Sequence, residues 1–180
     1  MNAFRTLLLG LIATAILAGC STVTFEEPMP LNHRDLPRFP KHWRGEWLDE
    51  SGERLHIGEQ HVMPNDSSEV YILGAENRLR RYRDCLVFNS KEDGGGWNVI
   101  VARRRGGTIQ LYHFDGCDEQ KIAVWRAILN ASDDAAAAFT TTGAGPKLSY
   151  HLAPENNAAW RQLVKENALT PLASYVRAEE

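Results

Sequence analysis

From Trp43 to Leu152 the chain runs in short alternations of apolar and polar residues broken by turn sequences. A chain patterned this way buries its apolar side chains mainly by pairing short strands. Candidate strands cover residues 43–48, 54–57, 69–73, 79–89, 97–104, 108–114, 122–128, 136–141 and 147–152. The separators include Asp49-Glu50-Ser51-Gly52, Pro64-Asn65-Asp66, Gly94-Gly95-Gly96 and Gly106-Gly107. Residues 122–129 read both ways, because Ile122, Trp125 and Leu129 would also line one face of a helix. Pro154-Glu155-Asn156-Asn157 opens a predicted helix that runs to about Asn167, with Trp160, Leu163 and Val164 at core spacing. Residues 172–176, after Pro171, read as a closing strand.

Some eight short antiparallel strands must protect their edges, and a closed or nearly closed barrel does so. The chain has 180 residues, the length of one ordinary domain plus some unstructured chain. With 43% hydrophobic residues and 3 Cys, it is neither a disulfide-dense miniprotein, a low-complexity chain nor a polytopic membrane protein. Its net charge of -3 is too mild to mark a nucleic-acid binder by composition.

Residues 1–20 read MNAFRTLLLGLIATAILAGC, with Arg5 as the only charge. The apolar run from Leu7 to Ala18 is too short to cross a bilayer and fits the core of a signal peptide. An uncleaved hydrophobic tail and a plain secretory signal are the other readings of this stretch. Leu17-Ala18-Gly19-Cys20 resembles the lipobox of bacterial lipoproteins. That resemblance implies that Cys20 receives a diacylglycerol thioether, becomes the N-terminus and is N-acylated. Two or more such chains hold a protein firmly on a membrane. Ser21 in the next position, rather than Asp, resembles lipoproteins sent to the outer membrane of Gram-negative bacteria, which implies its periplasmic face. Loss of residues 1–19 leaves 19 basic and 23 acidic residues, a net charge of -4. Residues 20–40 contain Pro28, Pro30, Pro37 and Pro40, which bar a continuous helix or central strand. They are expected to form a tether, with a single folded domain over 41–180.

Gly45-x-Trp47 resembles the G-x-W motif that opens the first strand of lipocalins and other calycin barrels. The late helix also lies where lipocalins place theirs, although no T-D-Y second motif is recognisable. This resemblance implies a mainly β fold, an antiparallel lipocalin-like barrel of about 8 strands with one C-terminal α-helix. A β-sandwich or a partly open barrel is the other architecture the pattern allows.

Cys85 and Cys117 remain once Cys20 is assigned to the anchor, and in an oxidising compartment they are disulfide candidates. In a meander their strands lie two spacings apart, about 9.6 Å, whereas a disulfide needs Cα atoms within about 7 Å. The bond therefore requires the loop Asp115–Asp118 to fold back, and two buried free thiols are the alternative. A hairpin about Gly94-Gly95-Gly96 would set Arg83 opposite Arg103 and Arg81 opposite Arg105. Four like charges facing one another are destabilising unless something screens them. They mark an anion-binding candidate for a lipid headgroup, a phosphorylated glycolipid or a partner protein, or else a solvated face balanced by nearby acids.

His33, His42, His56, His61, His113 and His151 are scattered, and no H-E-x-x-H, G-x-S-x-G or phosphate-cradling glycine loop is present. No catalytic residue, metal or cofactor is expected. The five tryptophans read as core, or as the lining of a ligand cavity. The functional expectation is a non-catalytic, membrane-anchored envelope lipoprotein. Its periplasmic domain would bind a small apolar or lipid-like ligand or an envelope partner, and no nucleic acid. The alternative is a structural or assembly accessory with a filled barrel.

Overall fold

The computed structural model describes residues 21–64, 70–130, 138–144 and 148–178. Twelve strands follow in chain order: β1 (Thr22–Phe25), β2 (Gly45–Leu48), β3 (Arg54–Ile57), β4 (His61–Pro64), β5 (Tyr71–Ile72), β6 (Asn77–Tyr82), β7 (Cys85–Lys91), β8 (Trp97–Arg105), β9 (Thr108–His113), β10 (Phe139–Thr142), β11 (Ser149–Leu152) and β12 (Thr170–Arg177). The helices are α1 (Glu119–Leu129) and α2 (Asn157–Leu163), with 3₁₀ turns at Lys41–Trp43 and Glu166–Ala168. The protein is mainly β, and the described strands belong to one sheet.

One path through that sheet runs β6-β7-β8-β9-β12-β2-β3-β4-β5, and a branch β10-β11-β1 joins it at β8. Inward side chains from eight of these strands meet in one cluster, among them Leu79, Leu86, Ala102, Ile109, Tyr175, Trp47, Leu55 and Val62. Strands so far apart in the pairing order share a core only if the sheet curls. Closure is incomplete, so the expected closed barrel gives way to an open curled sheet. β5 is only two residues long, and its turn into β6 is held by Gly74 N–H donating to Asn77 O at 2.9 Å. Among the described residues no ladder joins β5 to β6.

Residues 21–40, expected as a tether, are built into the body. β1 pairs in parallel with β11, from Thr22↔Ser149 to Phe25↔Leu152. Phe25 and Phe39 are fully buried and Met29 nearly so. Beyond β1 the segment lies along the open edge. Asp35 bridges to Arg80, Leu36 N–H donates to Leu79 O at 2.7 Å, and Phe39 N–H donates to Glu59 O at 2.8 Å. The four prolines exclude a long regular element, but β1 ends before the first of them, and the rest needs only isolated backbone bonds.

A second core covers the outer face of β7–β9. Val87, Val99, Val101 and Tyr112 meet Val23 and Phe25 of β1, Trp125 of α1 and Trp160 of α2. The same strands are therefore buried on both faces, which replaces apolar–polar alternation with nearly continuous apolar sequence.

Three other expectations change. Residues 122–128 are helical, because Asp118 caps α1 by accepting from Gln120 N–H at 3.0 Å and Lys121 N–H at 3.1 Å. Ile122, Trp125 and Leu129 then share its buried face, so the protein has a helix before the C-terminal one. Residues 79–89 are two strands, reversed at Arg83, which sits at φ 54 between β6 and β7. β4 was hidden by Pro64, which ends it. Parts of the predicted strands and turns within 65–69, 131–137 and 145–147 lie outside the described residues. No helix among the described residues is long and apolar enough to cross a membrane.

Candidate functional site

Cys20 lies outside the described residues. Cys85 is a buried free thiol, so the proposed Cys85–Cys117 bond is not made. Pairing explains why: Cys85 stands opposite Arg103, and Arg103 opposite Gln110, near the start of β9. Cys117 follows the far end of β9, so the two cysteines sit at opposite ends of the meander. Burial, and then the Asp84 carboxylate, push the Cys85 thiol above its ordinary range. In its loop, Cys117 N–H donates to Asp115 Oδ1 at 2.9 Å.

The four arginine candidates do not share a face. β6 pairs with β7 rather than β8, so Arg83 does not face Arg103, nor Arg81 Arg105. Arg103 points into the second core, stacks on Tyr112 at 4.9 Å and donates to Val164 O. Arg83 occupies the hairpin turn with its guanidinium 5.6 Å from the Tyr82 ring. Arg105 ends β8, opposite Thr108. Arg81 keeps the inward register of Leu79.

Another set of cations gathers where β2 begins and β6, β8 and β12 end. Trp47 is fully buried there, its Nε1–H donating to Trp43 O at 2.9 Å. Arg177, paired with Trp47, lies 4.6 Å from its ring centroid, and Arg104 lies 5.8 Å from it. Arg177 also donates from Nη2 to His42 O at 3.1 Å and Arg44 O at 3.0 Å, fastening the 3₁₀ turn across the end of the sheet. Gly45 allows this approach: it has φ +117, and a Cβ there would come within 3.1 Å of Arg177 Nη1. Arg81 Nε donates to Arg83 O at 3.2 Å. Lost hydration, then the Arg104 and Arg81 guanidiniums, hold His42 below the usual histidine range. Among the described residues, Glu59 is engaged by Arg38 and Arg44, and Glu46 by His56.

Sequence reasoning missed Arg104, Arg177 and His42 as a group. Their signal was parity: Arg104 continues the inward series Ile100, Ala102, and Arg177 continues Ala173, Tyr175.

His56 and His61 stack at 5.4 Å because a tight turn at Gly58 brings them together across β3 and β4. Among the described residues, no cluster of His, Cys, Asp and Glu is placed to hold a metal ion. His113 is held below the ordinary histidine range by burial, only partly offset by Asp115. Unfolded His113 takes up a proton near pH 6.5 (about its ordinary value) while the folded side chain resists. The unfolded state then binds more protons, and stability declines as pH falls below that point. Urea unfolding of His113→Gln should show a shallower loss between about pH 7 and 5. An equal slope in both proteins would assign the acid sensitivity elsewhere.

Trp43 and Trp47 fill the inner core, and Trp97, Trp125 and Trp160 the second. A solvent-open cleft of about 460 Å³ lies at the other end of the sheet, between Asp49–Glu53 and the strands carrying Tyr112 and Tyr175. Comparison with family models, curated proteins and solved structures finds no match to this chain.

Proposed function

We propose that this chain is a lipid-anchored protein of the bacterial cell envelope, non-catalytic, whose folded body serves as a structural or assembly accessory to an envelope partner. The leader with its L-A-G-C box supports the anchor at Cys20, and Ser21 favours the periplasmic face of the outer membrane. The curled sheet is read as a lipocalin-like barrel left open between β5 and β6, in keeping with Gly45-x-Trp47 at its start. One observation carries the accessory role over capture of a small apolar ligand. The interior is filled by side chains, with Trp47, Leu79, Leu86 and Ile109 nearly or wholly buried. A small barrel is either plugged in this way or hollow enough for one ligand.

Mass spectrometry of the chain from membranes tests the anchor. The mature protein should begin at Cys20 with diacylglycerol and N-acyl groups, and Cys20→Ala should abolish acylation and leave an uncleaved or soluble form. An unmodified start, or a start elsewhere, ends this reading. So does a Cys20–Cys117 disulfide, because one sulfur cannot hold both a thioether and a disulfide. That competing bond is worth seeking: a Cβ on Gly116 would lie 2.4 Å from Ser21 O, which brings the Cys117 loop against the residue after Cys20. Solvent extraction should release no stoichiometric lipid beyond the covalent chains, and a stoichiometric apolar extract would restore the hollow-barrel reading.

A further inference from the structure

We propose that Arg81, Arg104 and His42 form a binding site for a phosphate-bearing ligand at the end of the curled sheet, with Arg177 as the residue that positions it. The inference is independent of the lipid anchor.

Strand register places Arg81 and Arg104 on the inward face at the same end of the sheet. Arg81 pairs with Leu86, Leu86 with Ala102, and Arg104 is the next inward residue on β8. His42 lies on the 3₁₀ turn that Arg177 fastens over the same end. Arg81, Arg104 and Arg177 have no ion pair among the described residues. Among the described residues, the Arg104 Nε–H is buried with no hydrogen-bond partner. Such a donor carries a desolvation cost that an anion would relieve.

Free guanidiniums in water swing apart, but these are held. Arg104 lies against the Trp47 ring, Arg177 is fixed by Trp47 and two carbonyls, and Arg81 is bonded to its own turn. Preorganised forks beside an imidazole suit a tetrahedral, many-oxygen anion, which accepts from several donors at once. Arg81 and His42 are exposed, so the site opens to solvent.

The test uses the full chain in non-ionic detergent, titrated with potassium phosphate at constant ionic strength. The His42 ring is followed by NMR and assigned with His42→Gln. Phosphate should move the His42 titration upward, since an opposite charge favours the imidazolium. Arg81→Gln, at an exposed side chain, should weaken binding about tenfold, the loss of one charge-assisted hydrogen bond. Arg104→Gln should do the same or more. A second arm compares vesicles of phosphatidylglycerol with phosphatidylcholine. Binding to phosphate alone identifies a soluble ligand, and an added response to the anionic vesicles identifies a headgroup, each upholding the site. An unmoved His42, or undiminished binding in Arg81→Gln and Arg104→Gln, overturns it. So does binding that appears only after removal of Glu179 and Glu180, which would give the site to the chain's own carboxylates.

Discussion

Trp47→Ala is expected to lower stability by about 3–5 kcal/mol, the range for deleting a buried large aromatic. The side chain is fully buried in the inner core, so the substitution leaves a void bordered by strands from both sides of the curl. It also removes the donor to Trp43 O and the platform beneath Arg177 and Arg104. Trp47→Phe separates these contributions. It keeps most of the volume and the aromatic face but leaves a carbonyl unpaired, for about 1–2 kcal/mol. Urea midpoints of the three proteins, read with their slopes, give the ranking. A loss below about 1 kcal/mol for Trp47→Ala would mean the curl does not depend on this residue.

Arg80→Ala should cost about 3 kcal/mol and loosen the N-terminal segment before the rest. Arg80 is largely buried and donates from Nε to Asp35 Oδ1 at 2.7 Å, and from Nη1 to Pro30 O at 2.9 Å and to Pro28 O. Removing it strands two backbone acceptors that proline-containing chain cannot pair in a ladder. Asn89 makes the adjacent tie, accepting from Met29 N–H at 2.6 Å and donating to Met29 O at 2.9 Å. Limited proteolysis of Arg80→Ala should cut within residues 26–38 while the strands of the curl stay protected, because local opening needs less free energy than unfolding. Simultaneous cleavage throughout the chain would show instead that the segment and the sheet open together. Arg80→Lys should rescue only part, since one ammonium cannot reproduce the guanidinium fork.

These two residues show what the sequence discloses and what it hides. Residues 54–57 were legible as β3 because alternation and the Asp49–Gly52 turn agree locally. Trp47 was legible as a core residue from its glycine-spaced context, while its arginine partners were not. They lie on β8 and β12, and only the register of a curled sheet brings them to the same ring. Arg80 read as one more charge on a basic strand, yet it turns outward into a buried network made by residues some fifty positions earlier. The arginine register failed for one local reason: Arg83 takes a left-handed conformation that non-glycine residues seldom adopt, so residues 79–89 looked like one uninterrupted strand. The cysteine pairing failed for a separate reason: Cys85 stands opposite Arg103 near the start of β9, while Cys117 follows the end of that strand. Helix α1 was visible as an alternative in Ile122, Trp125 and Leu129, and the Asp118 cap decides it.

β1 meets its partner very late in the chain. Thr24 Oγ1 and His151 Nδ1, 2.7 Å apart, are separated by 127 positions. A polypeptide made, or threaded through a pore, N-terminus first therefore presents Val23, Phe25 and Met29 long before residues 149–152 arrive to cover them. The hairpins of β6–β9 close over short spans and can form early, but their outer face stays bare until then. In that interval two matching apolar surfaces coexist in one unfinished molecule, and at high local concentration each finds the other on a neighbouring chain as readily as on its own. Domain exchange through β1 is thus the characteristic assembly error of this topology, and a factor that shields the leading strand is the natural safeguard against it.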